Sequence, residues 1–418
     1  MKNTVAVLGA GIVGTCCALE LQRRGHDVTL IDRKAPGRET SYGNAGVIAR
    51  SSLIPFNNPG LWSSLPGLLK NDSPQFRYDP GFLVRNPRWA LSFLRHARQR
   101  PFTETVTALD ALIRCSATAH RSLLAEAGAA HRLRDKGWLL LYRSEAAFDA
   151  SRFSRDIYDR HGVATQALDA KAVSDLEPGL KPIFPRSLWV KDADSVDSPG
   201  KVVEAYADLF VARGGHIAQA SIAQLRRSGA DDRWQLVDEQ GAVHEAGRIV
   251  LALGPWTKAF AKKTLGVSIP LAFERGYHAH FSASAAAALN RPIYDTAGGY
   301  VLTPMEQGLR LSTGVQLCAQ DAPANPVQLE LAERAARQAF PLDARIEGEI
   351  WLGNRPTLPD SRPMIGECPR RPGIWLAFGH QHIGFGTGPG SAILLGALMS
   401  QERCEIDAAP FRPSRFIG

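Results

Sequence analysis

Three glycines and one acid carry the first chemical signal in the chain. Gly9, Gly11 and Gly14 form a Gly-x-Gly-x-x-Gly run directly after the apolar stretch Val5 to Leu8, and Asp32 stands 18 residues beyond Gly14. The first glycine permits a tight turn, the second lets a backbone approach a pyrophosphate, and the third allows close helix–strand packing. The helix that follows offers unpaired N–H groups and a partial positive charge to phosphates. Asp32 can accept hydrogen bonds from ribose hydroxyls. The pattern predicts a bound dinucleotide; a glycine turn without a ligand is the plain alternative.

Two further segments bear on which dinucleotide. The run Glu39-Thr40-Ser41-Tyr42-Gly43-Asn44-Ala45-Gly46-Val47-Ile48 is built of small residues that let a long ligand cross the backbone. Near the other end, Gly384-Phe385-Gly386-Thr387 opens the last helix. A helix N-terminus there can stabilise negative charge on a reduced isoalloxazine ring, by the same dipole argument. Both segments favour a flavin over a nicotinamide, although an NAD-linked dehydrogenase would use the same first unit.

The histidines are less specific. His380 and His382 flank Gln381 beside this helix start, and strand alternation puts His278 and His280 on one face. Each can touch substrate or help remove an amine proton, and each can equally be a packed core residue. A metal needs a third ligand, which the sequence does not place nearby.

These residues need a frame. Val5 to Leu8, a helix with Val13, Cys17 and Leu21 on one face, Gly25 as its stop, and Val28 to Ile31 read as a β-α-β unit. Ser51 to Pro101 reads as loops and short helices. A long helix is predicted over Thr103 to Ala127, a strand over Trp138 to Tyr142 and a helix over Glu145 to His161. Asp197 or Ser198 can cap a helix with Pro199 in its first turn. A strand near His216 to Ser221, a hairpin at Gln240-Gly241 and a buried strand over Arg248 to Leu253 follow. Short strands are expected over 271 to 315, a helix over Val327 to Phe340, and a last helix from about Gly390 to Gln401.

Composition closes off other classes. The 418 residues are 44% hydrophobic, which disfavours disorder, and allow two or three domains. No apolar run reaches the length of a membrane span. The six cysteines form no Cys-x-x-Cys pair and read as reduced, mostly buried small hydrophobes. The apolar run at Val5 is too short for a secretory signal, so the expected place is the cytoplasm. A net charge of +8 favours anionic partners, but the basic residues are dispersed rather than gathered into a nucleic-acid motif. A solvated surface or a peripheral contact with the inner membrane fits that dispersion.

Taken together, the glycine fingerprint, Thr40 to Gly46, Val250-Leu251-Ala252-Leu253-Gly254, Arg355-Pro356-x-x-Pro359-Asp360-x-x-Pro363-x-Ile365-Gly366 and the terminal glycine-rich helix start resemble the D-amino-acid oxidase superfamily of flavoproteins. The likeness covers nearly the whole chain. The Thr-Ser-x-x-Asn-Ala-Gly segment and the Trp-rich insertion at 61–101 resemble bacterial D-amino-acid dehydrogenases, and the whole sequence resembles their hydroxyproline-linked branch.

The resemblance implies an α/β architecture: a Rossmann-like FAD domain plus an α+β substrate domain with a curved mixed sheet, of the D-amino-acid oxidase and glutathione-reductase type. Expected boundaries are 1–85, 190–262 and 350–418 for the discontinuous FAD domain, and 86–189 and 263–349 for the substrate domain. FAD is expected to be noncovalent, since no Cys lies in the 350s and no His beside Asn44.

Implied cofactor contacts are Gly9, Ala10, Gly11, Ile12, Val13, Gly14, Asp32, Arg33, Ser41, Asn44, Ala45, Gly46, Val47, Ile48, Ile222, Ala252, Leu253, Gly254, Trp256, Gly353, Gly379, His380, Ile383, Gly384, Phe385, Gly386 and Thr387. Arg355 is implied as the grip on a substrate carboxylate, with a hydrogen bond from Tyr300; a guanidinium fork suits that task. His382 and His278 complete the candidate catalytic set.

The implied reaction is oxidation of a D-amino or cyclic imino acid, D-proline or cis-4-hydroxy-D-proline favoured, by hydride transfer from Cα to flavin N5. A quinone or other redox partner would take the electrons. The alternatives are an O₂-using oxidase of a glycine- or sarcosine-like amine, and a non-catalytic FAD-holding subunit.

Overall fold

The computed structural model describes residues 4–228, 233–283, 288–346, 348 and 350–418. Strand Thr4–Leu8, helix Ile12–Arg23 and strand Asp27–Asp32 form a parallel β-α-β unit, with Gly25 reversing the chain at φ +84°. That left-handed conformation carries no Cβ penalty in glycine. The two strands lie within a six-stranded sheet. Its order is His216–Gln219, Asp27–Asp32, Thr4–Leu8, Arg248–Leu251, Ile374–Phe378 and Met364–Glu367, and only the last pairing is antiparallel.

Both faces of this sheet are covered, as a parallel sheet requires. Val5, Val7, Val28 and Leu30 pack against Leu19, Val203, Phe210 and Leu395, from helices Ile12–Arg23, Pro199–Ala212 and Gly384–Met399. Ala6, Leu8 and Ile31 point the other way, onto Leu236 and Leu265, from the strand Trp234–Asp238 and the helix Thr257–Leu265.

A second, eleven-stranded mixed sheet forms the other half. Its spine is the twelve-residue strand Ala272–Ala283, which pairs antiparallel with Gly308–Thr313 and Trp351–Thr357. Helix Val327–Ala339 packs on it through Leu329, Ala332 and Ala336. Strands Phe76–Tyr78 and Trp351–Thr357 belong to this sheet, although the expected boundaries at 85 and 350 put them with the cofactor domain.

Some elements differ from expectation for identifiable reasons. The 272–283 strand is one long element because it must reach several partners. Residues 145–160 form two helices, Glu145–Ala150 and Arg152–Arg160, split where the Ser151 hydroxyl donates to the Phe148 carbonyl. Ser198 occupies the N-cap of the 199–212 helix without a side-chain cap, while the Asp197 carboxylate pairs with Arg132 and Arg134. The long helix spans Gln99–Glu126, and the last helix begins at Gly384, as the Gly384 to Thr387 run implied and six residues before the Gly390 start read for its body. Among the described residues, no helix is long and apolar enough to cross a membrane. All six cysteines are free.

Candidate active site

A continuous cavity of about 850 Å³ runs between the two halves, lined by both glycine clusters. That volume lies at the upper end of ordinary small-molecule and cofactor sites, about 300–1,000 Å³.

At one end the wall is the first β-α-β turn. Gly9 has φ +106°, and a Cβ on it would sit 2.5 Å from the Ala252 oxygen. A Cβ on Gly14 would collide with the Gly9 carbonyl at 1.8 Å. The helix and both strands meet this closely only because glycine stands at both places. The Asp32 carboxylate accepts from the Ala10 and Lys34 amides at 2.7 and 2.9 Å, which fixes it at the strand end. Arg33 stacks over Trp256, 4.3 Å from the ring centroid. Ile222, Leu253 and Gly254 complete this end.

The middle is the 41–46 turn. The Ser41 hydroxyl accepts from the Ile12 amide at 3.0 Å, and Asn44 accepts from the Gly46 amide at 2.7 Å. Arg310 reaches from the large sheet and donates to the Tyr42 and Asn44 carbonyls at 2.7 and 2.6 Å. Its Nε donates to His280 Nε2 at 3.0 Å, so His280 carries its own proton on Nδ1.

The far end is walled by Gly384 to Thr387, where no side chain caps the helix N-terminus, and by the strand face Trp351, Gly353 and Arg355. Arg355 is half-buried; its fork donates to the Gly314 and Thr313 carbonyls at 3.0 and 3.3 Å. A guanidinium carries more donors than these carbonyls use. Burial lowers its pKa somewhat and the nearby Glu274 charge opposes this, so it stays a cation.

The predicted residues do not all meet. Most of the expected cofactor contacts line the cavity, from Gly9 through Ile12, Val13, Asp32, Arg33, Ser41, Asn44, Ala45 and Val47 to Gly379 and Thr387. Ala10, Gly14, Gly46 and Ile48 stand just behind it.

Tyr300 does not reach the cavity. Val301 and its cross-strand partner Ser312 face it, so alternation turns Tyr300 into the core beside Asp295 and Arg143. Burial there raises the phenol well above its ordinary range. His278 is likewise absent from the wall; it stacks behind Trp351 at 4.7 Å, and burial first, then the Arg310 charge, pushes its pKa down to about 2. His380 lines the cavity, but its Nε2 meets the Ser391 hydroxyl at 2.9 Å and burial lowers its pKa to about 3. His382 lines the cavity with a 43% exposed side chain. Among the described residues, no group of three potential metal ligands occurs.

Trp351, Thr313 and Arg310 were not singled out from the sequence. Trp351 was within reach, because residues 351, 353 and 355 share one strand face. Arg310 carried no local signal; only the tertiary fold brings it to the 41–46 turn.

The family model described as DAO, FAD-dependent oxidoreductase, matches residues 4–398. The chain belongs to the FAD-dependent oxidoreductase (DAO) family. A protein named D-amino-acid oxidase from Bradyrhizobium diazoefficiens is 31% identical over 420 residues, covering 99% of both chains. A D-amino acid dehydrogenase from Paramagnetospirillum magneticum is 30% identical, covering 95% of this chain and 94% of that one. Among solved structures, glycine oxidase from Geobacillus kaustophilus superposes with TM-score 0.74 at 20% identity over 100% of both chains, and L-proline dehydrogenase from P. horikoshii with 0.76 at 16%, over 99% and 97%. At those identities the structures share the fold.

The DAO-family cofactor fits the residues present. The Gly9–Gly11 turn leaves room for backbone approach and Asp32 is fixed for ribose. The bare N-terminus of the 384–399 helix faces the same cavity, with Arg355 across from it.

Proposed function

We propose that this flavoenzyme oxidises the Cα–N bond of a small amino acid, a D-amino acid in the first instance. The observation that carries this is the half-buried, cationic Arg355 at the far end of the cofactor cavity, with donors beyond those its two backbone partners use. A bidentate grip on the substrate carboxylate orients the rest of the molecule. The relatives named for D-amino acids, matched over nearly the full chain, support the D configuration.

Bound FAD, held noncovalently, supplies the acceptor for the hydride leaving Cα. Trp138, Tyr158, Tyr294 and Phe56 line the cavity and exclude water, which favours a compact, partly apolar substrate. A cyclic imino acid such as D-proline or cis-4-hydroxy-D-proline suits that lining, and His382 is the polar group available to a ring hydroxyl or to the amine. The test is a panel of D-, L- and cyclic amino acids scored by anaerobic bleaching of the flavin. Bleaching by D-enantiomers is expected; bleaching by L-enantiomers alone would overturn the stereochemical assignment.

A membrane quinone or similar carrier as electron acceptor has support at the surface. Trp62, Leu69, Val84 and Leu91 are exposed on or just after three short helices, Leu61–Leu68, Pro80–Arg85 and Pro87–His96. Residues 70–100 carry seven Lys or Arg (Lys70, Arg77, Arg85, Arg88, Arg95, Arg98, Arg100) against Asp72 and Asp79. Exposed apolar and basic residues together suit the surface of an anionic bilayer. Direct use of O₂ is the second reading, favoured by the relative named as an oxidase; peroxide release against dye reduction separates the two.

A further inference from the structure

Behind the Arg355 end of the cavity lies a buried carboxylate, Glu274, that neither holds the cofactor turn nor lines the wall. Glu274 is 3% exposed on strand Ala272–Ala283 and faces Arg355 in register across the strand pair. Its Oε2 is buried without a hydrogen-bond partner, a costly state for a carboxylate. That same oxygen stands 3.8 Å from Nδ1 of His382, whose ring lines the cavity.

The turn presenting His382 is strained. Gln381 is left-handed at φ +51° and buried. It is held there by its amide on the Pro356 carbonyl at 2.9 Å and by its side chain on the Ser361 carbonyl. Such strain persists only where its surroundings over-determine it. An orphaned oxygen and a strained turn thus converge on one imidazole.

We propose that Glu274 and His382 form a dyad that takes the ammonium proton of the substrate, with Glu274 as the positioning residue. This rests on reading the Arg355 end as an amino-acid site. With Nδ1 turned to the carboxylate, that nitrogen carries the ring proton and Nε2 keeps its lone pair. An amino acid enters as a zwitterion and its carboxylate goes to Arg355. The N–H bond of the ammonium breaks, its electron pair stays on nitrogen, and the proton forms a new bond at Nε2. The amine is then neutral, as hydride loss from Cα requires, and Glu274 balances the imidazolium. No further reactant is needed.

The groups around His382 fit this division of labour. Glu274 comes from one strand and Arg355 from its neighbour, while His380 shares the turn. His380 is kept neutral by burial and engaged with Ser391, so it does not compete for the proton.

The test uses the FAD-loaded protein labelled with ¹⁵N-histidine. The His382 resonance is identified by its loss in His382→Gln. Its titration midpoint should be lower in Glu274→Gln than in the wild type, since the opposite charge 3.8 Å from Nδ1 is removed. Glu274→Asp, which keeps the charge, should restore part of the shift. In parallel, the acid limb of anaerobic flavin reduction by D-proline or D-alanine should move to lower pH in Glu274→Gln, and in His382→Gln should give way to a limb at higher pH set by the substrate's own ammonium. FAD content and the visible spectrum should stay unchanged in all three variants.

An unchanged His382 midpoint would overturn the pairing. A midpoint that moves while the acid limb stays in place would overturn the proton role. A flavin that no D- or L-amino acid bleaches would instead overturn the amino-acid reading of the site, and the proton role with it, while the midpoint would still report the Glu274–His382 pairing.

Discussion

Nε2 of His120 lies 2.8 Å from the carbonyl oxygen of Phe385, four residues before Pro389. Pro389 has no N–H to give that carbonyl, the usual reason a proline stops a helix. His120 supplies the missing donor, so the last helix runs through the proline and starts at Gly384. Its first turn is thereby brought to the cavity wall. His120→Ala should leave the Phe385 oxygen buried and unpaired, at a cost of about 1–3 kcal/mol. Thermal unfolding should show the loss and FAD titration should show weaker binding. His120→Gln, which can donate, should recover part of both.

Stability should fall in acid through buried histidines. Burial lowers His120 to about 4, His380 to about 3 and His278 to about 2, all from the ordinary value near 6.5. Below about pH 6.5 the unfolded chain binds protons that the folded chain refuses, so stability is full above that pH and drains away as pH drops toward 4 and below. Urea unfolding at pH 7.5, 6 and 5 should show this decline, and His278→Phe should flatten it. A pH-independent midpoint would contradict the assignment.

Arg310 ties the large sheet to the cofactor turn through the Tyr42 and Asn44 carbonyls. Arg310→Met should therefore weaken FAD binding about tenfold or more, the effect of losing 1.4 kcal/mol or more. It should leave the substrate KM of the fully loaded enzyme nearly unchanged. Equilibrium FAD titration, followed by kinetics in excess FAD, separates the two effects.

Much of the frame was legible because it rests on local chemistry. The Gly9–Gly14 turn, the Trp138–Tyr142 strand and the Gln240-Gly241 hairpin follow from residue type and period. Of the two starts read for the last helix, Gly384 and about Gly390, the earlier one stands because Pro389 is tolerated through His120, which is distant in sequence. Tyr300 was placed at the substrate by resemblance, whereas strand alternation turns it to the core and leaves Val301 on the wall. Glu274 gave no sequence signal, since its significance comes from strand register with Arg355.

The basic, apolar-studded segment at 61–100 makes a prediction of its own. The protein should sediment with vesicles containing anionic lipid and not with neutral ones, and salt should release it. Arg88→Glu with Arg95→Glu, both exposed on helix Pro87–His96, should abolish sedimentation without changing flavin content. Equal sedimentation with neutral vesicles would contradict a charge-led contact.

The central claim is that Arg355 holds a substrate carboxylate beside the flavin. Anaerobic titration of the FAD-loaded protein with D-amino acids, D-proline included, tests it most directly, in wild type and in Arg355→Met. Bleaching in the wild type, with at least a hundredfold rise in the half-saturating concentration in Arg355→Met at unchanged FAD content, is the expected result; a hundredfold is about 2.7 kcal/mol, the scale of a lost charge-assisted pair. Equal half-saturation in the two proteins would contradict it.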